Sequence, residues 1–440
     1  MQIKHWRQVM QNKNIATFCL ATLKQLGAQK AQVNYEQSIT REMSYANGQV
    51  YLLRTLHKDD IYLRAIIDNK EAKFASNKID PESLYAACQE TINLASSSPP
   101  DAAKDIAPQQ EIKVFHHGEK NPNFDLMHER LLGFSKEVNR RYPKIRIREV
   151  LVAHNFCTAY FLNSNGVDVE TNNGSYVINV LFLAKDGIKT SSFNYEICNS
   201  KNLDLEFIDW GMLDDILSQT EKQTELRPVP EKSFIGDIIL TPSCLLEMNQ
   251  MLAEHLRDGK HITNSSLFLN KLGEKVVSEK FTLHSNPIAA DFAEHNFITT
   301  DGYITQNLVV FEKGVLKSNL LSQYAANKTN QARGLNYGVN YKIDCGDQSL
   351  EDIIRSVKKG ILLYRLSGGY PASNGDFSGV AKNSFYIENG EIKYPINETM
   401  ITTNVLDLFN NIHAISKESV NYGHSIMPWM RVGGVTVSGK

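Results

Sequence analysis

Long apolar runs are missing from this chain: nowhere does an uncharged apolar stretch reach the roughly 18 residues that mark a bilayer-spanning helix. The opening Met1-Gln2-Ile3-Lys4-His5 is no apolar leader either, so a cytoplasmic protein without membrane contact is expected. Charge of one sign is equally scarce, with 47 Lys and Arg against 49 Asp and Glu for a formal net charge of -2. Nucleic-acid binders concentrate cations to neutralise phosphates, and no such block exists here, so no nucleic-acid partner is expected. The six cysteines, Cys19, Cys88, Cys157, Cys198, Cys244 and Cys345, include no CxxC pair. A zinc ribbon and a thioredoxin-like motif are thereby excluded, and reduced, packed thiols are expected. P-loop and GxSxG signatures are absent. His128-Glu129 starts like a zincin motif but lacks the second histidine and reads as an exposed helix face.

What is present suits a soluble globular chain: 42% hydrophobic and 22% charged residues over 440 positions. Helical spacing from Val9 to Leu26 predicts an opening helix stopped by Gly27. Alternating runs over Ala31–Tyr35, Gln49–Leu56 and Ile61–Ile67, with a turn at Asn47-Gly48, predict antiparallel strands. Asp80 caps a predicted helix through Leu94, with Pro81 in its first turn. A strap over 100–112, a helix over 125–141, and hairpins turning at Asn165-Gly166, Asn173-Gly174 and Asp186-Gly187 follow. An amphipathic stretch, 210–224, leads to Arg227-Pro228-Val229-Pro230, where the prolines disfavour helix. We place a domain boundary there, giving an α+β domain over 1–228 and a strand-rich domain over 229–440. The second half opens with a strand at Gly236–Pro242 and a helix from Ser243, its expected N-cap, to about Arg257. One further helix is expected over Ser349–Leu363. Helices mixed with hairpins define an α+β class.

Several ordered blocks in the second half carry a resemblance. They include Gly302-Tyr303, Leu308 to Leu316, Leu321-Ser322-Gln323-Tyr324-Ala325-Ala326, Ser384 to Ile392, Tyr394-Pro395-Ile396-Asn397-Glu398-Thr399 and Asn404 to Phe409. In order and spacing, 235–440 resembles the TldD/PmbA family, also called modulators of DNA gyrase. The first half resembles it only in its hairpins and the Asn163-Ser164-Asn165-Gly166 turn. The resemblance implies a two-domain subunit enclosing a proteolytic cavity in a dimer. It also implies that TldD-like members are zinc peptidases with a His-Glu-x-x-x-His helix and a C-terminal cysteine.

Residue by residue, the resemblance implies a degenerate site in this chain. Ser265-Ser266-Leu267-Phe268 matches the segment that follows the motif, and counting back without gaps puts the motif at Asn249 to Glu254. Asn249 and Glu254 then stand for the two histidines, Gln250 for the glutamate, and Gly423 for the distal cysteine. Amides are poor zinc donors, so no catalytic residue and no metal are expected here. The alternative ligand pair is His255 and His261; on an unbroken helix six residues turn about 600°, which would point them apart. Gly368, Gly369, Asn374 and Gly375, in the densest glycine segment, are candidates for lining a peptide groove.

The reading is therefore a PmbA/TldE-like, non-catalytic subunit without its own cofactor. Its expected partners are a zinc-bearing TldD-like metallopeptidase subunit and unfolded peptide, including gyrase-directed peptides in relatives, with a homodimer also open. A divergent active metallopeptidase and a peptide-binding regulatory module without a peptidase partner are the competing readings.

Overall fold

The computed structural model describes residues 12–439; the expected start of the opening helix, at Val9, lies outside them. Alternation along the strand Lys30–Ala46 builds the first layer. Ala31, Val33 and Tyr35 share a core with Ile15, Cys19 and Leu23 of the Asn12–Gln25 helix and with Leu84, Ala87 and Cys88 of the Pro81–Ser97 helix. Farther along, Met43 and Tyr45 join Met127, Leu131 and Phe134 of the Phe124–Arg141 helix. The even positions, Gln32 through Ser44, are polar and face the other way, as a period of two requires.

The first helix start is set by the residue expected to set it, and Asn123 sets the second. The Asp80 carboxylate accepts the Ser83 N–H at 2.9 Å with Pro81 in the first turn, and Asn123 Oδ1 accepts the Leu126 N–H at 3.1 Å. Asn47 and Gly48 take φ of +50° and +87°, as the tight hairpin demands. The strand beyond them, Gln49–Ile67, is continuous over 19 residues rather than two pieces. Its polar stretch His57 to Asp60 pairs without a break against Ile39 to Glu36.

The first sheet runs 70–76, 49–67, 30–46, 145–163, 168–186, 113–117, with 189–190 and 194–200 also pairing to 168–186. Asn165-Gly166 and Asp186-Gly187 turn as expected, but Asn173-Gly174 lies inside the strand Asp168–Asp186. Gly174 is needed there because a Cβ would run into the Glu119 carbonyl, and Asn173 bonds the backbone of His295 through both amide atoms.

The second sheet has 13 strands, with Ser233–Leu240 between 425–438 and 359–363. The expected helix Ser349–Leu363 ends at Arg355, and the chain becomes the strand Lys359–Leu363, parallel to Ser233–Leu240. Ile361, Leu362 and Leu363 are buried on both faces of that sheet, where a continuous apolar run is strand and not helix. Gly360 permits the close approach, since a Cβ there would strike the Asp237 carbonyl.

Across this sheet lies the helix Pro242–Glu254, held by Leu245, Met248 and Leu252 in the core. Each fully buried side chain of this size contributes about 1.5–3 kcal/mol. Thr241, not Ser243, occupies the N-cap position, because Pro242 fits the first helical position where no N–H is needed. The Ser243 hydroxyl instead accepts from Arg365 at 3.2 Å.

The two sheets share a core: Ile178, Val180 and Phe182 of the first pack in one cluster with Ile239, Leu362 and Phe385 of the second. The strap over 101–112 has no regular structure but is tied across the molecule. Asp101 takes bonds from Tyr324 and Lys328 at 2.9 Å each, and Gln110 bonds the Gly302 carbonyl at 2.6 Å and the Ile304 N–H at 2.8 Å. The fold is α+β, and among the described residues no helix is long and apolar enough to cross a membrane.

Candidate functional site

The solvent side of the Pro242–Glu254 helix borders a cleft of about 1100 Å³. Helical spacing brings Leu246, Glu247, Gln250 and Glu254 to its wall. Further walls come from Gly338 to Tyr341, from Gly368 to Pro371, and from His424. Segments far apart in sequence thus converge on one helix face.

The expected remnant of the metal motif is split by this geometry. Gln250 and Glu254 line the cleft, whereas Asn249, turned about 100° from Gln250 around the helix axis, is fully buried. It lies on the core stripe of Leu245 and Leu252, and among the described residues neither amide atom of Asn249 has a hydrogen-bond partner. Such a group costs about 1–3 kcal/mol. Glu254 is exposed and pairs with Arg257 at 3.4 Å.

Gly423 sits in a turn with φ +82°, where a Cβ would collide with the Asn199 carbonyl. Its N–H donates to Asn421 Oδ1 at 2.7 Å and its carbonyl accepts the Ala293 N–H at 2.7 Å. That position has no space for a cysteine side chain; the neighbouring His424 is the residue that reaches the cleft.

His255 ends the helix, lines the cleft and accepts the Leu267 N–H at Nδ1 over 3.3 Å. Burial, reinforced by the Lys260 charge, pushes its pKa down to about 4. His261 is fully buried on the short Asp258–Ile262 helix and is not part of the cleft wall. Burial lowers its pKa too, offset in part by the nearby Gln331 side chain and His255 backbone. The pair is not brought to one point in the cleft.

Zinc asks for three or more convergent imidazole, thiolate or carboxylate donors. Among the described residues no group of three or more His, Cys, Asp or Glu is arranged to hold a metal ion. With Asn249 in the core, no room for a ligand at Gly423 and His255 Nδ1 already bonded, the residues at the family positions do not fit the ion.

Of the glycine-segment candidates, Gly368 and Gly369 line the cleft. Asn374 and Gly375 are not among its lining; they close a turn, with Asn374 bonding Asp376 at 2.7 Å and Gly375 at φ +89°. Among the described residues the strand Arg365–Gly368 pairs only with Asp376–Lys382, leaving its other edge without a partner strand. Sequence reasoning missed Tyr341 and Arg257 in the cleft wall, whereas Tyr370 ends the Ser367-Gly368-Gly369-Tyr370 stretch of the glycine segment. It also missed the buried support behind the helix, Arg365. That guanidinium bonds Asn194 Oδ1 at 3.0 Å, the Tyr195 carbonyl and Ser243, and lies 3.6 Å from Glu196.

Comparison with known proteins matches this architecture. Residues 235–439 fit the family model of the PmbA/TldA metallopeptidase C-terminal domain. The metalloprotease PmbA of Escherichia coli O157:H7 is 21% identical over 98% of both chains. A zinc metalloprotease TldD homolog of Saccharolobus solfataricus is 22% identical over 90% of both. The crystal structure of TldE from Thermococcus kodakarensis superposes with a TM-score of 0.82 at 20% identity, covering 97% of this chain and all of that one. A Bacteroides thetaiotaomicron protein designated a modulator of DNA gyrase superposes at 0.86 and 21% identity, over 98% and 99% of the two chains. The fold and these matches define a metallopeptidase-family chain. It belongs to the TldD/PmbA family.

Proposed function

We propose that this chain is a PmbA/TldE-like subunit without catalytic metal, acting with a TldD-like zinc peptidase on unfolded peptide. The observation that carries the reading is the split motif: a family helix bordering a large cleft, with Asn249 turned into the core and no space for a side chain at Gly423. Such a subunit keeps cavity walls and strand edges while leaving the hydrolytic ion to its partner. The free edge of Arg365–Gly368, next to the exposed Tyr370, suits an extended chain that adds as a strand through main-chain hydrogen bonds. Recognition of that kind reads backbone and not sequence, which favours unfolded substrates. An obligate complex would bury above roughly 2,000 Å².

Two measurements test the proposal. Protein purified without chelator is expected to carry well under one equivalent of zinc by elemental analysis. Mixed with a TldD-like subunit, it is expected to elute as a heteromeric complex. Stoichiometric zinc in this chain would favour a divergent peptidase, and failure to associate would favour a regulatory module.

A further inference from the structure

The first sheet turns an apolar face to solvent on the side away from its helices. Leu151, Leu181, Tyr195 and Ile197 alternate along their strands with the core residues Val150, Val180 and Cys198, so they point to the opposite face. Register sets them side by side: Leu151 and Ile197 flank Asn179, and Leu181 lies against Tyr195. With Glu149 and Asn179 they line a depression of about 360 Å³. Tyr51, on the strand Gln49–Ile67, stands at one end and donates to the Glu149 carboxylate at 2.7 Å. At the other end are Phe193, two residues before Tyr195, and Ile188, in the turn between 168–186 and 189–190. None of these side chains lines the cleft described above.

Tyr51, Tyr195 and Ile197 are 53%, 47% and 41% exposed, and Phe193 and Ile188 are 58% and 99% exposed. With about 200 Å² for a whole side chain of this size, these five leave on the order of 600 Å² uncovered, the upper end for the largest apolar patch of a monomer. A standard interface takes about 800 Å² from each partner, which an apolar centre of this area and a polar rim supply together. The face crosses five neighbouring strands, from 49–67 to 194–200, and at about 4.8 Å between strands it is roughly 20 Å wide. A single extended chain covers one strand's width, so the surface that fits here is a folded one.

We infer that this face is the contact between two copies of this chain, packed face to face about a two-fold axis. Such a contact sets one patch against itself, so each residue in it has to tolerate its like. Aliphatic and aromatic side chains meet that condition. Glu149, at the margin, is bonded to Tyr51, and the half-exposed Arg54, paired with Glu42, belongs to the polar rim. The contact draws on no cleft residue, so it holds whether or not the cleft binds peptide.

The test is the solution mass of the full chain, read by light scattering over a micromolar dilution series. The wild type is expected to have the mass of two chains. Ile197→Glu places a charge on each side of the contact and Phe193→Ser removes an aromatic anchor, and each is expected to weaken association at least about tenfold. Both positions are largely solvent-facing, so the Tm is expected to hold; should Ile197→Glu lower it, Phe193→Ser carries the test. Leu132→Glu, at a position 43% exposed on the Phe124–Arg141 helix across the sheet, is expected to leave the dimer intact. A monomeric wild type overturns the inference, and so does a dimer that survives both face variants. If the wild type is monomeric and Ile197→Glu instead abolishes its complex with a TldD-like subunit, the face belongs to that subunit and the second copy is overturned.

Discussion

Arg365 reaches from the second sheet into the first and lies 3.6 Å from Glu196, with both side chains at or below 10% exposure. The pair is not alone, since Asn194 and the Tyr195 carbonyl take further guanidinium bonds. Burial pushes the Glu196 carboxyl up, and the Arg365 charge opposes that shift. Breaking a buried pair strands one charge, so Arg365→Met is expected to lower stability by about 3–5 kcal/mol in urea denaturation. Arg365→Met combined with Glu196→Gln is expected to recover part of this, because no uncompensated charge remains.

Gly423→Cys would place a thiol at the position that the resemblance aligns with the distal cysteine of TldD-like members. Strain at positive φ and the collision with the Asn199 carbonyl predict a loss of about 1–3 kcal/mol, seen as a lower Tm, with no gain in bound zinc. A Gly423→Cys protein of unchanged Tm that bound zinc stoichiometrically would refute the account of this turn.

How far the sequence carried depends on how local each signal was. The Asp80 cap and the Asn47-Gly48 turn act within four residues and were readable from residue type. Asn173-Gly174 looked like a turn because glycine permits one; its actual use, close approach to Glu119, depends on a segment more than 50 positions away. The 349–363 stretch looked helical because apolar spacing cannot separate a buried parallel strand from a helix, and the pairing with Ser233–Leu240 decides it. At the site, Gln250 and Glu254 were legible through the resemblance, and Gly368 and Gly369 through the local density of glycine. Asn249 facing the core, and Tyr341 and Arg257 converging at Gly338, follow from packing that no local pattern records.

Tyr370 is 96% exposed beside Gly368 and Gly369 at the cleft wall. An exposed aromatic contributes little to folding, so Tyr370→Ala is expected to change stability by less than about 0.5 kcal/mol. If the cleft binds extended peptide, the same change is expected to weaken binding several-fold, read by anisotropy. Unchanged affinity would move the peptide path away from this wall.

His117 and His295 stack with ring centroids 3.6 Å apart, joining the strand Lys113–His117 to the 289–297 segment. Burial holds both below the ordinary imidazole range, His295 at about 4 with His117 as a second cause. The unfolded chain takes up protons near pH 6.5 and the folded one only near pH 4, so protons favour unfolding in that window. The His295 contribution is full above about pH 6.5 and is lost as the pH falls toward 4, and that of His117 is lost in the same direction. Lys201 and Glu294 are the charged groups near this stack, and neither reverses the direction. The Tm is expected to fall across this range, and His295→Gln, which can still donate to the Ala289 carbonyl, is expected to flatten the fall.

Hydrolysis of a disordered peptide tests the central claim most directly, with this chain assayed alone, a TldD-like subunit carrying His-Glu-x-x-x-His assayed alone, and the two mixed, each with and without chelator. The account predicts no cleavage by this chain alone and chelator-sensitive cleavage by the mixture above that of the TldD-like subunit alone. Chelator-sensitive cleavage by this chain on its own would contradict it.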